Sequence, residues 1–364
     1  MKLAVDATAL LVPRTGVGMF TAELLKELGR RPDFVVSAFV IGHVGQHWLP
    51  SDIGGGVREM PGRLPSGLVR RLWKCFATPS AEWLAGKSDL VHGPNYIVPP
   101  TRHAASVVSV HDVGFEHDPP MSIPGALGHR QSVRAAIKRG AWVQTGSEFV
   151  ANEIREIYDV APDRVVTIPY GVRLAPPGPH PSPGAPYVLA LGSADRRKDL
   201  TTLVASFNQV AAEHSGLRLI HAGPDGDATE ELNQSIANSP YRNRIQRLGW
   251  VDDETRSSLL HGAAVVVYPS LYEGFGFVPL EAMLANAPVI TTPVASIPEV
   301  AGDAALYVAP GNAEELADAL KRVLCDTALA VDLVIRGQDR AAGYTWAQTG
   351  EMMADFFHLA ASSR

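Results

Sequence analysis

Short apolar runs alternate along this chain with longer stretches whose apolar residues recur at helical spacing. KLAVDATAL, FVVSAFVI, DLVH, SVVSV and AWVQT fit strands in the first half, and YVLAL, LRLIH, AVVVY and PVIT in the second. Short, continuously apolar strands between helices are the pattern of parallel sheets covered on both faces. The expected fold class is therefore α/β, with a doubly wound sheet in each half. Residues 174–186, LAPPGPHPSPGAP, are dense in Pro and Gly and lack an apolar period, which predicts a linker. That gives a first domain at 1–173, a second at 187–343 and a terminal helix at 344–364. In TWAQTGEMMADFFHLA, Thr345 and Gln348 have capping-box spacing, and Met352, Met353, Phe356, Phe357 and Leu359 offer an apolar stripe.

Composition narrows the class. At 364 residues, two domains are expected rather than one core. With 46% apolar and 19% charged residues the chain suits a soluble globular protein. A net charge of -6 argues against a broad nucleic-acid surface. The two cysteines, Cys75 and Cys325, supply neither a metal shell nor a disulfide framework and favour a reducing cytoplasm. Asp6 interrupts the apolar N-terminus, which reads as a buried strand rather than a signal peptide. No apolar run approaches the roughly 20 residues that span a bilayer.

The most informative string is LGWVDDETRSSLLHGAAVVVYPSLYEGFGFVPLEAM, residues 248–283. A buried strand runs into PSLYEGFG, and a helix is expected from about Phe277, with Pro279 in its first turn. Ligands of open α/β sheets bind beyond the carboxyl ends of strands. Gly274 and Gly276 allow close backbone approach, and a helix start suits a phosphate. Glu273 and Glu281 would repel that phosphate unless their oxygens met hydroxyl groups, such as those of ribose or a sugar. Taken singly, each could be an ordinary loop or helix charge.

A second string, YVLALGSADRRKDLTTLVASF, is a strand, a loop and a helix whose N-cap fits Asp199. Arg197 and Lys198 precede that helix. Fixed cations there could stabilise a leaving diphosphate as it gains charge. Arg196 reads as surface.

Together these strings resemble the retaining glycosyltransferases of family 4, whose fold is GT-B: two Rossmann-like domains facing a cleft. The family's paired glutamates, with seven residues between them, match Glu273 and Glu281. The resemblance implies that Glu281 binds the nucleotide ribose and that Glu273 approaches the donor sugar. It implies diphosphate binding by Arg197 and Lys198 beside Gly192, and backbone contacts near Phe275, Gly276 and Phe277. Trp250 and Val251 would lie beside the base. Asp199 stands where the family commonly has Asn. In PRTGVGMFT, Gly16 and Gly18 lack the third glycine of a dinucleotide fingerprint. The resemblance gives their loop a role over the donor, and places His111 of HDVGF by the donor sugar. Asp112 would orient that loop. The terminal helix is expected to cross back to the first domain.

Other signals carry less. His92, after a short strand, is a candidate acceptor-side residue or a core histidine. Ser147 and Glu148 fit a helix N-terminus without chemistry. Asp225 and Asp227 lie in a turn-rich loop and make no convincing metal shell. No essential metal or other cofactor is expected. The segment 68–76, with Leu68, Val69, Leu72, Trp73 and Phe76 on one face and Arg70, Arg71 and Lys74 on the other, fits packing on its own domain. A lipid-linked acceptor would favour its peripheral contact with an anionic membrane on the inner face.

The resulting expectation is retaining transfer of a hexose to a saccharide or lipid-linked saccharide. The strings DATALL, TGVGMFT and HDVGF most resemble bacterial mannosyltransferases of polysaccharide assembly, favouring GDP-mannose over a UDP-sugar as donor. The rivals are a nucleotide-sugar epimerase of the same fold and a non-catalytic nucleotide-sugar binder. Nothing in the pattern fixes an oligomeric state.

Overall fold

The computed structural model describes residues 1–12, 16–42, 45, 47–62, 65, 67, 69, 72–73, 78–117, 121, 127–179 and 184–363. The chain forms two compact units. One comprises Met1–Glu116, Ala126–Gly171 and Thr345–Arg364; the other comprises His117–Gly125 and Val172–Tyr344. Most of segment 68–76 lies outside the described residues.

The first unit is built on seven parallel strands: β1 (Lys2–Asp6), β2 (Val35–Phe39), β3 (Val57–Glu59), β4 (Leu90–Gly93), β5 (Ala105–Ser109), β6 (Trp142–Thr145) and β7 (Val165–Thr167). Their order is β3-β2-β1-β4-β5-β6-β7, so the winding reverses between β1 and β4. Around them lie α1 (Gly16–Gly29), α2 (Ala81–Ala85), α3 (Leu127–Lys138) and α4 (Glu148–Tyr158). β1 is shorter than its apolar run. The Thr8 N–H and hydroxyl both donate to Asp6 Oδ1, at 2.9 and 2.5 Å, turning the chain into a helical turn at Thr8–Leu11.

The second unit has six parallel strands: β8 (Tyr187–Leu191), β9 (Arg218–Ala222), β10 (Ile245–Gly249), β11 (Val265–Tyr268), β12 (Val289–Thr291) and β13 (Leu306–Tyr307). Their order is β10-β9-β8-β11-β12-β13, with the reversal between β8 and β11. Its helices are α5 (Leu200–Glu213), α6 (Thr229–Ala237), α7 (Asp253–Gly262), α8 (Phe277–Leu284), α9 (Ile297–Ala301), α10 (Ala313–Cys325) and α11 (Thr327–Ala342). The described part of 174–186 runs along α7, whose Ser257 and Ser258 hydroxyls donate to the Ala175 and Gly178 carbonyls at 2.6 and 2.7 Å.

The C-terminal α12 (Trp346–Ser362) belongs to the first unit. Thr345 caps it in a full capping box with Gln348. Phe356, Phe357 and Met353 are buried, but Met352 and Leu359 are exposed, so the inward stripe is narrower than the apolar one. Gly350 lets α12 approach α1 closely: a Cβ there would stand 2.6 Å from Glu27 Cβ. Burial of Phe20, Leu24, Leu25 and Leu28 on α1 contributes about 1.5–3 kcal/mol per side chain.

Candidate active site

The strongest group of candidates sits at the carboxyl ends of β8 and β11, where the second sheet reverses its winding and a crevice is expected to take a ligand. β8 ends in a loop containing Gly192, whose φ of 125° excludes an ordinary side chain. The Gly192 N–H bonds the Ala222 carbonyl, and its own carbonyl accepts from His221 Nε2 at 2.8 Å. Gly223 permits this approach, since a Cβ there would lie 1.8 Å from the Gly192 oxygen.

A helical turn at Arg196–Lys198 follows. Asp199 occupies the N-cap position of α5 in left-handed backbone; its carboxylate takes the Thr202 hydroxyl at 2.8 Å, in place of the expected bond from the helix amides. Arg196 is exposed and paired with Glu231. Arg197 and Lys198 turn the other way. Arg197 Nη1 donates to Glu273 Oε2 at 2.7 Å and to the Tyr272 carbonyl at 3.1 Å. Lys198 Nζ donates to Glu273 Oε1 at 2.5 Å and to the Tyr268 hydroxyl at 2.7 Å. The Leu271 N–H ties the Arg197 carbonyl at 2.7 Å. Thus the loop after β8 and the loop after β11 are joined by side chains and backbone alike.

Glu273 is buried, which disfavours its charge, but Arg197 and Lys198 outweigh burial and bring its pKa down to about 2. Burial lowers Lys198 to about 8 against the pull of Glu273. One carboxylate thus serves two cations, whose donors suit a diphosphate.

α8 starts at Phe277, with Gly276 before it at φ 101° and Pro279 in its first turn. Its positive end therefore faces the same loop. Gly274 is buried within that loop. Phe275 is a packed side chain against Phe277 and Tyr344, so only its backbone suits a ligand contact. Glu281, one turn into α8, is buried, and burial raises its pKa. Both its oxygens are taken by Arg256: Nη1 meets Oε1 at 2.7 Å, and Nη2 meets Oε2. Arg256 stands on α7, which begins just after Trp250 and Val251. Trp250 is 61% exposed, available for stacking on a base.

Sequence reasoning missed two residues here. Tyr268 ends β11 and holds Lys198, with its ring 4.5 Å from Nζ. Arg256 pairs with an acid 25 positions away, a distance no local pattern reveals.

The first unit treats its candidates differently. His111 does not present an open ring. Its Nε2 donates to the Pro94 carbonyl at 2.7 Å, so the neutral ring accepts from the Tyr170 hydroxyl through Nδ1 at 2.9 Å. Burial lowers its pKa in keeping with that neutral form. Asp112 accepts from the Gly114 N–H at 3.0 Å, closing the loop. His92 does not line a surface: it is fully buried, donating to Ser109, which donates to Gln144. Gly16 and Gly18 lie in the first turn of α1 rather than in a loop before it. Asp225 pairs with Arg247, and Asp227 accepts from the Arg196 N–H, so both serve the turn. Among the described residues no helix is long and apolar enough to cross a membrane.

Comparison with known proteins agrees with this geometry. Residues 14–175 match the model described as Glycosyltransferase Family 4, and residues 185–326 match that of Glycosyl transferases group 1. The O-antigen chain mannosyltransferase B of Escherichia coli is 26% identical over 371 aligned positions, covering 95% of this chain and 96% of its own. An O-antigen chain mannosyltransferase of Salmonella typhimurium is 26% identical over 66% of this chain and 68% of its own. Among solved structures, a sucrose-phosphate synthase from Thermosynechococcus elongatus superposes with a TM-score of 0.79 at 19% identity, covering 100% of both chains. HepE from Anabaena, solved with UDP and glucose, gives 0.74 at 17% identity, covering 98% of this chain and 99% of its own. The chain belongs to the family 4 glycosyltransferases and has the two parallel-sheet domains of the GT-B fold.

Proposed function

We propose that this glycosyltransferase moves mannose from GDP-mannose to a saccharide or lipid-linked saccharide, with retention at the anomeric carbon and without an essential metal. The observation that carries the transferase reading is the Arg197–Glu273–Lys198 cluster at the winding reversal of the second sheet. The choice of mannose is supported by the O-antigen mannosyltransferases among the relatives. A UDP-sugar donor is the second reading, favoured by the complex of HepE with UDP and glucose.

Arg197, Lys198 and the positive end of α8 neutralise the charge that grows on the diphosphate as the bond from its oxygen to the sugar breaks. The acceptor hydroxyl forms the new bond to the same face of the anomeric carbon, and its proton passes to the departing diphosphate oxygen. Glu281 accepts hydroxyls of the ribose, and Trp250 stacks beside the base. A lipid-linked acceptor would place the reaction at the inner face of the cell membrane.

Melting curves with GDP-mannose, UDP-glucose and the two nucleotides test the donor, since a ligand of the folded state raises the melting temperature. A rise with GDP-mannose and GDP, coupled to mannosyl transfer in which NMR shows an unchanged anomeric configuration, is the expected result. A response confined to the uridine compounds, or an inverted linkage, refutes the corresponding part.

A further inference from the structure

We propose that Arg256 is a positioning residue for the nucleotide, holding Glu281 so that its remaining lone pairs accept ribose hydroxyls. This rests on the reading of Glu281 as the ribose acceptor. A carboxylate offers about four lone-pair positions, and a guanidinium fork fills two of them. The two-point contact between Arg256 and Glu281 therefore fixes the plane of the acid and leaves its outer lone pairs for a vicinal diol.

Position strengthens the case. α7 follows the loop bearing Trp250 and Val251, and Asp252 caps it by accepting from the Thr255 N–H at 2.8 Å. The Arg256 N–H donates to the Asp252 carbonyl at 2.9 Å. The loop assigned to the base and the acid assigned to the ribose are thus linked through one helix turn. Arg256 sets the distance between these two halves of a nucleoside.

Charge makes the role testable. The charged groups acting on Glu281 are Arg256, which favours its ionised form, and Asp253, which opposes it; both lie on α7. Burial also opposes ionisation. Without Arg256 the acid is left beside Asp253 in a desolvated place and holds its proton further up the pH scale. A protonated Glu281 accepts a diol poorly.

The test compares wild type, Arg256→Leu and Glu281→Gln as full chains, by calorimetric binding of GDP and 2′,3′-dideoxy-GDP, and of UDP and its dideoxy counterpart, from pH 6 to 9. The ratio of the two dissociation constants cancels titration of the base, the phosphates and Lys198. Wild type should favour the ribonucleotide at every pH. Arg256→Leu should lose about tenfold of that preference at pH 6 and recover only part of it toward pH 9, where the acid ionises without the fork that fixes its plane. Should the leucine variant not fold, Arg256→Gln, similar in reach but uncharged, carries the same expectation. Full preference at pH 6 overturns the proposal, and so does a loss that is equal for both ligands and independent of pH. Glu281→Gln should lose the preference throughout; if it keeps it, the ribose reading of Glu281 fails instead.

Discussion

Lys198 Nζ lies 2.5 Å from Glu273 Oε1, and both side chains are buried. Arg197 also donates to this acid, so one carboxylate occupies both cations that the proposed function assigns to the diphosphate. On that proposal, an entering nucleotide competes with Glu273 for Lys198 and Arg197. Replacing it by glutamine should leave buried Lys198 and half-buried Arg197 without their shared acid and destabilise the second unit by about 3 kcal/mol. Added GDP or UDP should then raise the melting temperature of Glu273→Gln by more than it raises wild type, while kcat falls. An equal rise in the two proteins would show that Glu273 and the diphosphate do not share these cations.

The depressed ionisation of Lys198 should be visible in binding. Burial lowers its pKa to about 8, with Glu273 opposing that shift and Arg197 adding to it. Below pH 8 the ammonium is charged and ready for a phosphate. Above it the ligand-free protein loses that charge, so nucleotide affinity should fall as pH rises from 8 to 9. Lys198→Arg keeps its charge and should give a flat profile over the same interval, whatever its affinity at pH 7. A parallel decline in both proteins would assign the loss to another group.

His92 should shape the acid side of the stability curve. Burial, with a smaller contribution from His111, lowers its pKa to about 3 from the ordinary 6.5. Below pH 6.5 the unfolded chain takes up a proton that the folded ring refuses until about pH 3, so stability declines across that window as pH falls. His111 is shifted in the same direction and adds to the decline. His92→Gln retains a donor for Ser109 and removes one titration. Its melting temperature should drop less between pH 7.5 and pH 5 than that of wild type. Equal drops would sink this assignment.

The central strands and the phosphate loop were legible because burial leaves a plain mark: VVVY is apolar on both faces, and EGFGF joins glycines to an acid at a helix start. β3, β7, β10 and β13 left little trace. They are sheet edges or near-edges of two to five residues, such as VRE and LY, too short for a period to show. Roles set by distant partners were equally hidden. His111 stands in the expected string, yet Tyr170, 59 positions away, and Pro94 fix what its nitrogens can do. Arg256 carries no local mark in DETRSSLLHG of its partner Glu281.

The location of α12 has a consequence for synthesis. Its Phe357 packs on His92, and its first residue fits against Gly171, where a Cβ would lie 2.3 Å from the Trp346 nitrogen. Yet 173 residues of the second unit emerge between those neighbours. On the ribosome, the second unit can mature while the unit begun earlier still lacks one wall. The part started first is finished last, and premature termination just ahead of Thr345 would strip apolar cover from the N-terminal sheet and leave the Lys198 loop whole.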